Sequence, residues 1–260
     1  MIEDSKTVYK APALEKGLEI LELLAEKQIP LSMSQIASEL GRSKNEIFRM
    51  LSVLEQKRYL QKQDGNEKFT ITNHLFDLGM KVPPTSTFIE FVFPIMHEIA
   101  AMSSQSCHIS VRTNNSFVII ARVESPGPIG LAVRVGFSKK LIETNSGKVL
   151  LAWLPESERE QIVNQQVAYL PNKVSPEKML AELDQFKQQI VVENKSPYME
   201  GITDISAPIT LGSDKNKVIA VIAIPYSSNR GAKLTLDETV SLLKEKALYI
   251  SAKSTIFGGL

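Results

Sequence analysis

Apolar residues in the stretch 13–26, ALEKGLEILELLAE, recur every three or four positions and place Leu14, Leu18, Leu21 and Leu24/Ala25 on one face, with acids opposite. That period predicts an amphipathic helix, which Ile29-Pro30-Leu31 breaks. In the next stretch, 32–51, SMSQIASELGRSKNEIFRML, Ser32 is followed by Gln35 and Ser43 by Glu46, and each pair matches a capping box that opens a helix. Ile36, Ala37 and Leu40 give the first of these helices a short apolar face, and Gly41 stands where a helix ends in a left-handed residue. The second is expected from Lys44 to about Lys57, with Ile47, Met50, Leu51 and Leu54 as its buried stripe. Two helices joined by a few residues that include Gly form a helix-turn-helix unit.

Residues 59–72, YLQKQDGNEKFTIT, alternate around Asp64-Gly65, a strong hairpin signal, and a hairpin directly after a helix-turn-helix is a wing. A short helix over Asn73–Met80 then runs into VPPTST, where Pro83 and Pro84 mark a boundary. The expected organisation is a winged helix-turn-helix domain with its linker helix over 1–82, a linker over 83–87, and a second domain over 88–260.

That second region changes period. Residues 88–104 read as helix, with Pro94 kinking it or starting a second segment. CHISVR (107–112), an Asn114-Asn115 turn and SFVIIARVES (116–125) read as a hairpin, and GLAVRV (130–135) as a third strand. A helix is expected from near Asn145, with others at 155–166, 176–189 and 235–253. TDISAPIT (203–210) and KVIAVIAIPY (217–226) form a late strand pair across a turn at Ser213–Asn216. Strands of alternating polarity flanked by helices predict an α+β fold with an antiparallel sheet.

Composition narrows the chemistry. The 260 residues suffice for two domains with real cores, and a net charge of +1 means that any basic patch is local. The N-terminal MIEDSKTVYK has no apolar core of a signal peptide, and VIAVIAIPY, the longest strongly apolar run, is too short to span a bilayer, so a cytoplasmic protein without membrane attachment is expected. A single cysteine, Cys107, gives no disulfide framework, and with His74, His97 and His108 it shows no metal-ligand spacing. Adjacent Cys107 and His108 would face opposite ways in a strand, so packing is the expected role for both, and neither metal nor cofactor is expected. The segment SGKV lacks the flanking residues of a phosphate loop, since Ile142 stands at the glycine position, and Ser175-Pro-Glu-Lys178 has none of the companion motifs of a serine acyl-enzyme.

One local charge excess stands out. Between 42 and 62 there are six cations against Glu46 and Glu55, on the second helix of the Gly-jointed pair and on the wing. Such a helix fits the major groove, with its first residues at base edges and the surrounding cations on phosphates. The expected recognition surface is Ser43, Lys44, Asn45, Phe48 and Arg49, with Arg49 suited to a bidentate base contact and Asn45 to an adenine. Ser32, Ser34 and Arg42 complete the helix-turn-helix contacts, and Lys62, Asn66 and Lys68 on the wing would meet backbone or minor groove.

These residues carry a resemblance. ALEKGLEILELLAE followed by LSMSQIASELGRSKNEIFRMLSVLEQKRYLQK resembles the winged helix of the IclR family of bacterial transcription regulators. VGFSKKLIETNSGKVLLAWLP, GITDISAPIT and KVIAVIAIPY resemble segments of that family's effector domain, so the likeness runs through nearly the whole chain. It implies a GAF-like C-terminal domain that binds a small-molecule effector, and a homodimer or homotetramer.

In relatives that sense small organic acids, the resemblance implies a pocket to which this chain would contribute Leu131 and Val133 from a strand, Leu141, and Asn145 and Ser146 at a helix start. A loop acid of those relatives falls on Asn194, a cysteine on Asp204, and two serines on Ala223 and Pro225. These departures predict a ligand with an apolar or aromatic body and hydroxyl or amine donors rather than a small keto acid. The whole reading is a ligand-responsive regulator, a repressor by expectation, bound as an oligomer to a pseudo-palindromic operator. The alternatives are an enzyme with an accessory winged helix and a protein-binding winged helix; the first would need a catalytic trio in the second domain, the second a neutral or acidic recognition helix.

Overall fold

A computed structural model of the chain describes residues 11–63, 65–80, 85–128, 130–170, 174–228 and 231–257. Asp64 of the expected wing turn, and Pro83 and Pro84 of the expected linker, lie outside the described residues. The chain divides into two compact units, Met1–Val82 and Pro83–Leu260.

The first unit contains α1 (Pro12–Lys27), β1 (Leu31–Ser32), α2 (Met33–Glu39), α3 (Lys44–Gln56), β2 (Leu60–Lys62), β3 (Lys68–Ile71) and α4 (His74–Met80). Both capping boxes form: Ser32 accepts from the Gln35 amide and Ser43 from the Glu46 amide, and the Gln35 and Glu46 side chains reach back. Gly41 has φ +60, the left-handed geometry that ends α2 without a Cβ clash. Strands β1 and β2 flank β3 in a small antiparallel sheet.

The buried face of α1 is the expected one only in part: Leu21 and Leu24 are inside, Leu14 and Leu18 are not. Ile20, Leu21, Leu23 and Leu24 join the core of Ile36, Ile47, Leu51, Leu60 and Phe69, while Leu14 and Leu18 are 63% and 49% exposed. The core of so small a unit reaches only the C-terminal half of the helix. Earlier on α1, Lys16 is tied to α3 by a 2.6 Å ion pair with Glu46.

The second unit holds α5 (Thr85–Ser103), β4 (Cys107–Thr113), β5 (Ser116–Val123), β6 (Ser138–Lys140), α6 (Asn145–Ala152), α7 (Glu156–Gln166), α8 (Pro176–Lys187), β7 (Val192–Lys195), β8 (Ile202–Leu211), β9 (Asp214–Ser227) and α9 (Leu236–Lys253). Pro94 stands inside α5, which continues through it as one helix. Among the described residues the strands form one antiparallel six-stranded sheet in the order β6-β5-β4-β9-β8-β7. Helices α5 and α9 pack together against strands of this sheet. The Cys107 thiol, 3.4 Å from the Met96 carbonyl oxygen, points toward α5. The core around Leu141, Val149, Leu183 and Val221 fills the opposite side, where α6, α7 and α8 lie.

Two strand expectations are corrected, and one further strand was not expected. GLAVRV (130–135) forms no strand; the edge strand is β6, at 138–140. Alternation there reflects a half-buried extended segment whose apolar side covers a cavity, and alternation does not reveal whether a ladder partner exists. The β8–β9 turn is tighter than expected, because Leu211 already pairs with Asp214 around Gly212, at φ +59. Strand β7, with one buried residue in four, carries too little pattern to be read from sequence.

Candidate functional site

On the first unit, Asn45, Phe48 and Arg49 follow the i, i+3, i+4 spacing that puts side chains on one helix face. All three are exposed, Phe48 at 60%, while Ile47 and Leu51 turn inward. Ser52 extends this face but donates its hydroxyl to the Phe48 carbonyl at 2.9 Å. Lys44 and Arg49 have no ion-pair partner among the described residues, which leaves both charges for a polyanion.

Other expected contacts are engaged locally. Arg42 contacts both carboxylate oxygens of Glu19 at 3.2 Å, and Lys62 pairs with Glu67 at 3.2 Å while lying over the Phe69 ring. Asn66 braces the wing: it donates to Gln63 and accepts from the Lys68 amide. The Ser32 and Ser43 hydroxyls accept at the helix caps; Ser34 and Lys68 are exposed. The Lys16 contact, with the Ser43 hydrogen bonds, holds the Glu46 carboxyl down at about 2, so the cap stays ionised at neutral pH.

On the second unit a cavity of about 460 Å³ opens over one face of the sheet, a volume in the range of metabolite sites. Strand register defines its floor. His108 on β4 stands opposite Ala223 on β9, and Ala223 opposite Ser206 on β8; one step along, Pro225 stands opposite Asp204. Residues two apart on a strand share a face, so His108, Ala223, Pro225, Asp204 and Ser206 all front the cavity. Phe117, Phe137 and Tyr198 form an aromatic wall in successive edge-on contacts, and Leu131 and Val133 lie on the covering segment.

The start of α6 is fixed from both sides. The Thr144 hydroxyl caps the helix by accepting from the Gly147 amide at 3.0 Å. A Cβ on Gly147 would lie 2.3 Å from the Leu141 carbonyl oxygen, so only glycine fits. Asn145, 5% exposed, donates its amide to the carbonyls of Val192 and Asp204 and to the Ser206 hydroxyl, and its oxygen accepts from Asn194 at 2.8 Å. Ser146 and Ser206 hydroxyls share a 3.3 Å contact. This network pins α6 to the sheet, while the first-turn amides of Asn145 and Ser146 have no acceptor within the helix.

Burial shapes the ionisable groups. It raises the Asp204 carboxyl above the ordinary carboxylate range, with Ser196 pulling the other way. It raises the Tyr198 phenol, helped by Glu143 and Asp204, lowers His108 to about 4, and pushes the Cys107 thiol up to about 12. His108 is therefore neutral near pH 7. Cys107 is an inert thiol facing α5, so the two adjacent residues form no catalytic pair.

Of the positions expected at an effector site, Leu131, Val133, Asn145, Ser146, Asp204, Ala223 and Pro225 come together around this cavity. Leu141 and Asn194 do not. Leu141 is fully buried in the helical core, and Asn194 stands behind Asn145, in a neighbouring hollow. Sequence reasoning missed Ser206, Tyr198 and the cavity role of His108. Serine two residues after Asp204 on a strand was the one local signal for any of them.

Comparison with known proteins decides the family. The IclR helix-turn-helix domain matches residues 13–64, and the C-terminal domain of the bacterial transcriptional regulator IclR matches residues 86–252. The chain belongs to the IclR family of transcription regulators. It is 28% identical over 239 residues to the HTH-type transcriptional regulator KdgR of Escherichia coli, an alignment covering 90% of this chain and 89% of that protein. To the HTH-type transcriptional repressor AllR of Escherichia coli it is 26% identical, covering 93% and 89%. The fold is that of an IclR regulator from Alicyclobacillus acidocaldarius (TM-score 0.78, 22% identity, 95% and 100% covered). It is equally that of an IclR homologue from Microbacterium hydrocarbonoxydans complexed with 4-hydroxybenzoate (TM-score 0.79, 18% identity, 94% and 99% covered). As an IclR-family protein the chain is a ligand-responsive, DNA-binding transcription regulator, and the relatives give the enzyme alternative no support. Among the described residues no helix is long and apolar enough to cross a membrane.

Proposed function

We propose that this regulator is a cytoplasmic repressor that binds a pseudo-palindromic operator as a homodimer or homotetramer and responds to a hydroxylated organic acid. The domain over 1–82 would read DNA, residues 83–87 would link, and 88–260 would hold the effector. Asn45, Phe48 and Arg49 would meet base edges while Lys44, Lys68 and Lys62 meet phosphates; Arg42 would have to exchange Glu19 for DNA. One recognition helix covers only a few base pairs, so useful specificity calls for two heads on half-sites a helical turn apart or a multiple of it.

The observation that carries the effector reading is the cavity itself: mostly apolar walls, the start of α6 at one end, and Asp204 on the floor. A carboxylate suits unpaired first-turn amides. A second anionic group would face Asp204, whereas hydroxyl or amine donors would hydrogen-bond to it. The homologue holding 4-hydroxybenzoate makes an aromatic hydroxy acid the first compound class to try. The AllR relative, named as a repressor, favours repression.

The test is an electrophoretic shift series with the full chain on the DNA upstream of its own gene, at several salt concentrations. A complex that weakens with salt and changes further with a hydroxy acid is expected. Tight binding of glyoxylate or pyruvate, unaffected by Asp204→Ala, would overturn the ligand class. A monomer by light scattering in the presence of operator would overturn the assembly.

A further inference from the structure

Most polar side chains around the cavity are engaged within the chain. Asn145 has four hydrogen bonds, Ser206 accepts from Asn145, Ser146 contacts Ser206, Thr144 caps α6, and Tyr198 donates to the Glu143 carbonyl. Arg134 likewise has an interaction elsewhere. His108 is not so engaged. It is 8% exposed, lines the cavity from a central strand, and neither ring nitrogen has a partner among the described residues. Its ring nitrogens are not among the fully enclosed unpaired atoms, so they are open to the cavity, where a ligand can hydrogen-bond to them.

From this geometry we infer that His108 reads a hydroxyl group on the effector, whose carboxylate lies on the first turn of α6. The inference rests on the hydroxy-acid reading above and adds the residue that distinguishes a hydroxylated ligand from its deoxy counterpart. Register sets the layout. His108 and Ser206 flank Ala223 on successive strands, so at 4.7–4.9 Å per strand their Cα atoms stand roughly 10 Å apart across a methyl floor. A ring-sized body fits on Ala223 and Pro225, with the polar end at Asn145 and Ser146 and the hydroxyl at the imidazole. Because burial keeps the ring uncharged near pH 7, it offers one donor and one acceptor, which matches a hydroxyl's own pair.

The experiment is isothermal titration of the full chain with hydroxy acids, each beside its deoxy counterpart: 4-hydroxybenzoate with benzoate, and 3-hydroxybutyrate with butyrate. Wild type should prefer at least one hydroxy acid over its partner by about tenfold, the worth of one well-made hydrogen bond. In His108→Leu the ratio of hydroxy-acid to deoxy-acid affinity should fall to about one, and His108→Gln should restore part of it. A preference that survives His108→Leu overturns the role of His108 alone. If no acid of either kind binds wild type, the ligand class fails, and the inference with it. Should His108→Leu not fold, the imidazole 15N resonances of wild type give the answer. They should shift with the hydroxy acid and not with the deoxy acid; equal responses to both overturn the inference.

Discussion

The two units place their candidate site residues in opposite ways. On the DNA-reading unit, Asn45, Phe48 and Arg49 lie within five consecutive positions of one helix and are exposed. In the effector unit, the lining comes from β4, the segment before β6, the start of α6, β8 and β9, and most of its polar groups are buried. A surface meant for a polyanion needs side chains that reach outward from a rigid helix, which local sequence can supply. A site meant for a small molecule must remove water from all sides, which requires several elements to close around it. Substitutions should therefore separate the units: on the first they change binding without stability, and on the second the two are entangled unless the side chain fronts the cavity.

The largest effect is expected for Leu141→Ala. The side chain is fully buried among Val149, Met179 and Leu183, so its loss should destabilise the second unit by about 2–5 kcal/mol in urea unfolding. Ligand affinity per folded molecule should stay the same; a direct loss of affinity would return Leu141 to the cavity. Next comes Arg49→Ala, expected to weaken operator binding by roughly 1–3 kcal/mol and blur one base position, with the melting temperature unmoved. Lys62→Ala should instead weaken all sequences alike and flatten the salt dependence. Unchanged operator selectivity for the Arg49 variant would remove it from base readout.

A pH titration sharpens the contrast further. His108 is depressed from its ordinary 6.5 to about 4, so the unfolded chain takes up this proton first. The stability tied to the neutral ring is complete above pH 6.5 and drains as the pH falls toward 4. Asp204, raised by burial, works in the opposite sense, which is why the comparison must be wild type against His108→Gln. Wild type should lose more stability than the variant across that window; identical acid profiles would mean that the imidazole is not held neutral. The smallest effect is expected for Ser110→Ala. This hydroxyl, two residues along the same strand, is fully buried and unpaired, so removing it should leave stability within about 1 kcal/mol of wild type or raise it. A larger loss would reveal a partner for it, such as a buried water.

Much of the first unit was legible because its signals are short-range. The capping boxes at Ser32 and Ser43, the left-handed Gly41 and the inward Ile47 and Leu51 each depend on residues within a few positions. Even there, the buried side of α1 was legible only in part: Leu21 and Leu24 are inside as expected, while Leu14 and Leu18, which fit the helical period as well, are exposed. In the second unit the start of α6 was legible from its own segment. The edge strand was not, because Leu131 and Val133 alternate to cover a cavity rather than to pair in a sheet.

By itself the sequence determined where helices start and stop, that a cationic helix follows a Gly joint, and that late apolar strands must be buried. Tertiary structure alone decided which residues meet. Helices cover both faces of the sheet, so a strand such as VIAVIAIPY is apolar throughout and its pattern does not say which side holds a ligand. The order β5-β4-β9-β8 then brings His108, Ala223 and Ser206 side by side from distant parts of the chain. Whether a buried histidine is packing or a reader of ligand depends on what stands beside it, and strand pairing over long sequence separations sets that neighbourhood.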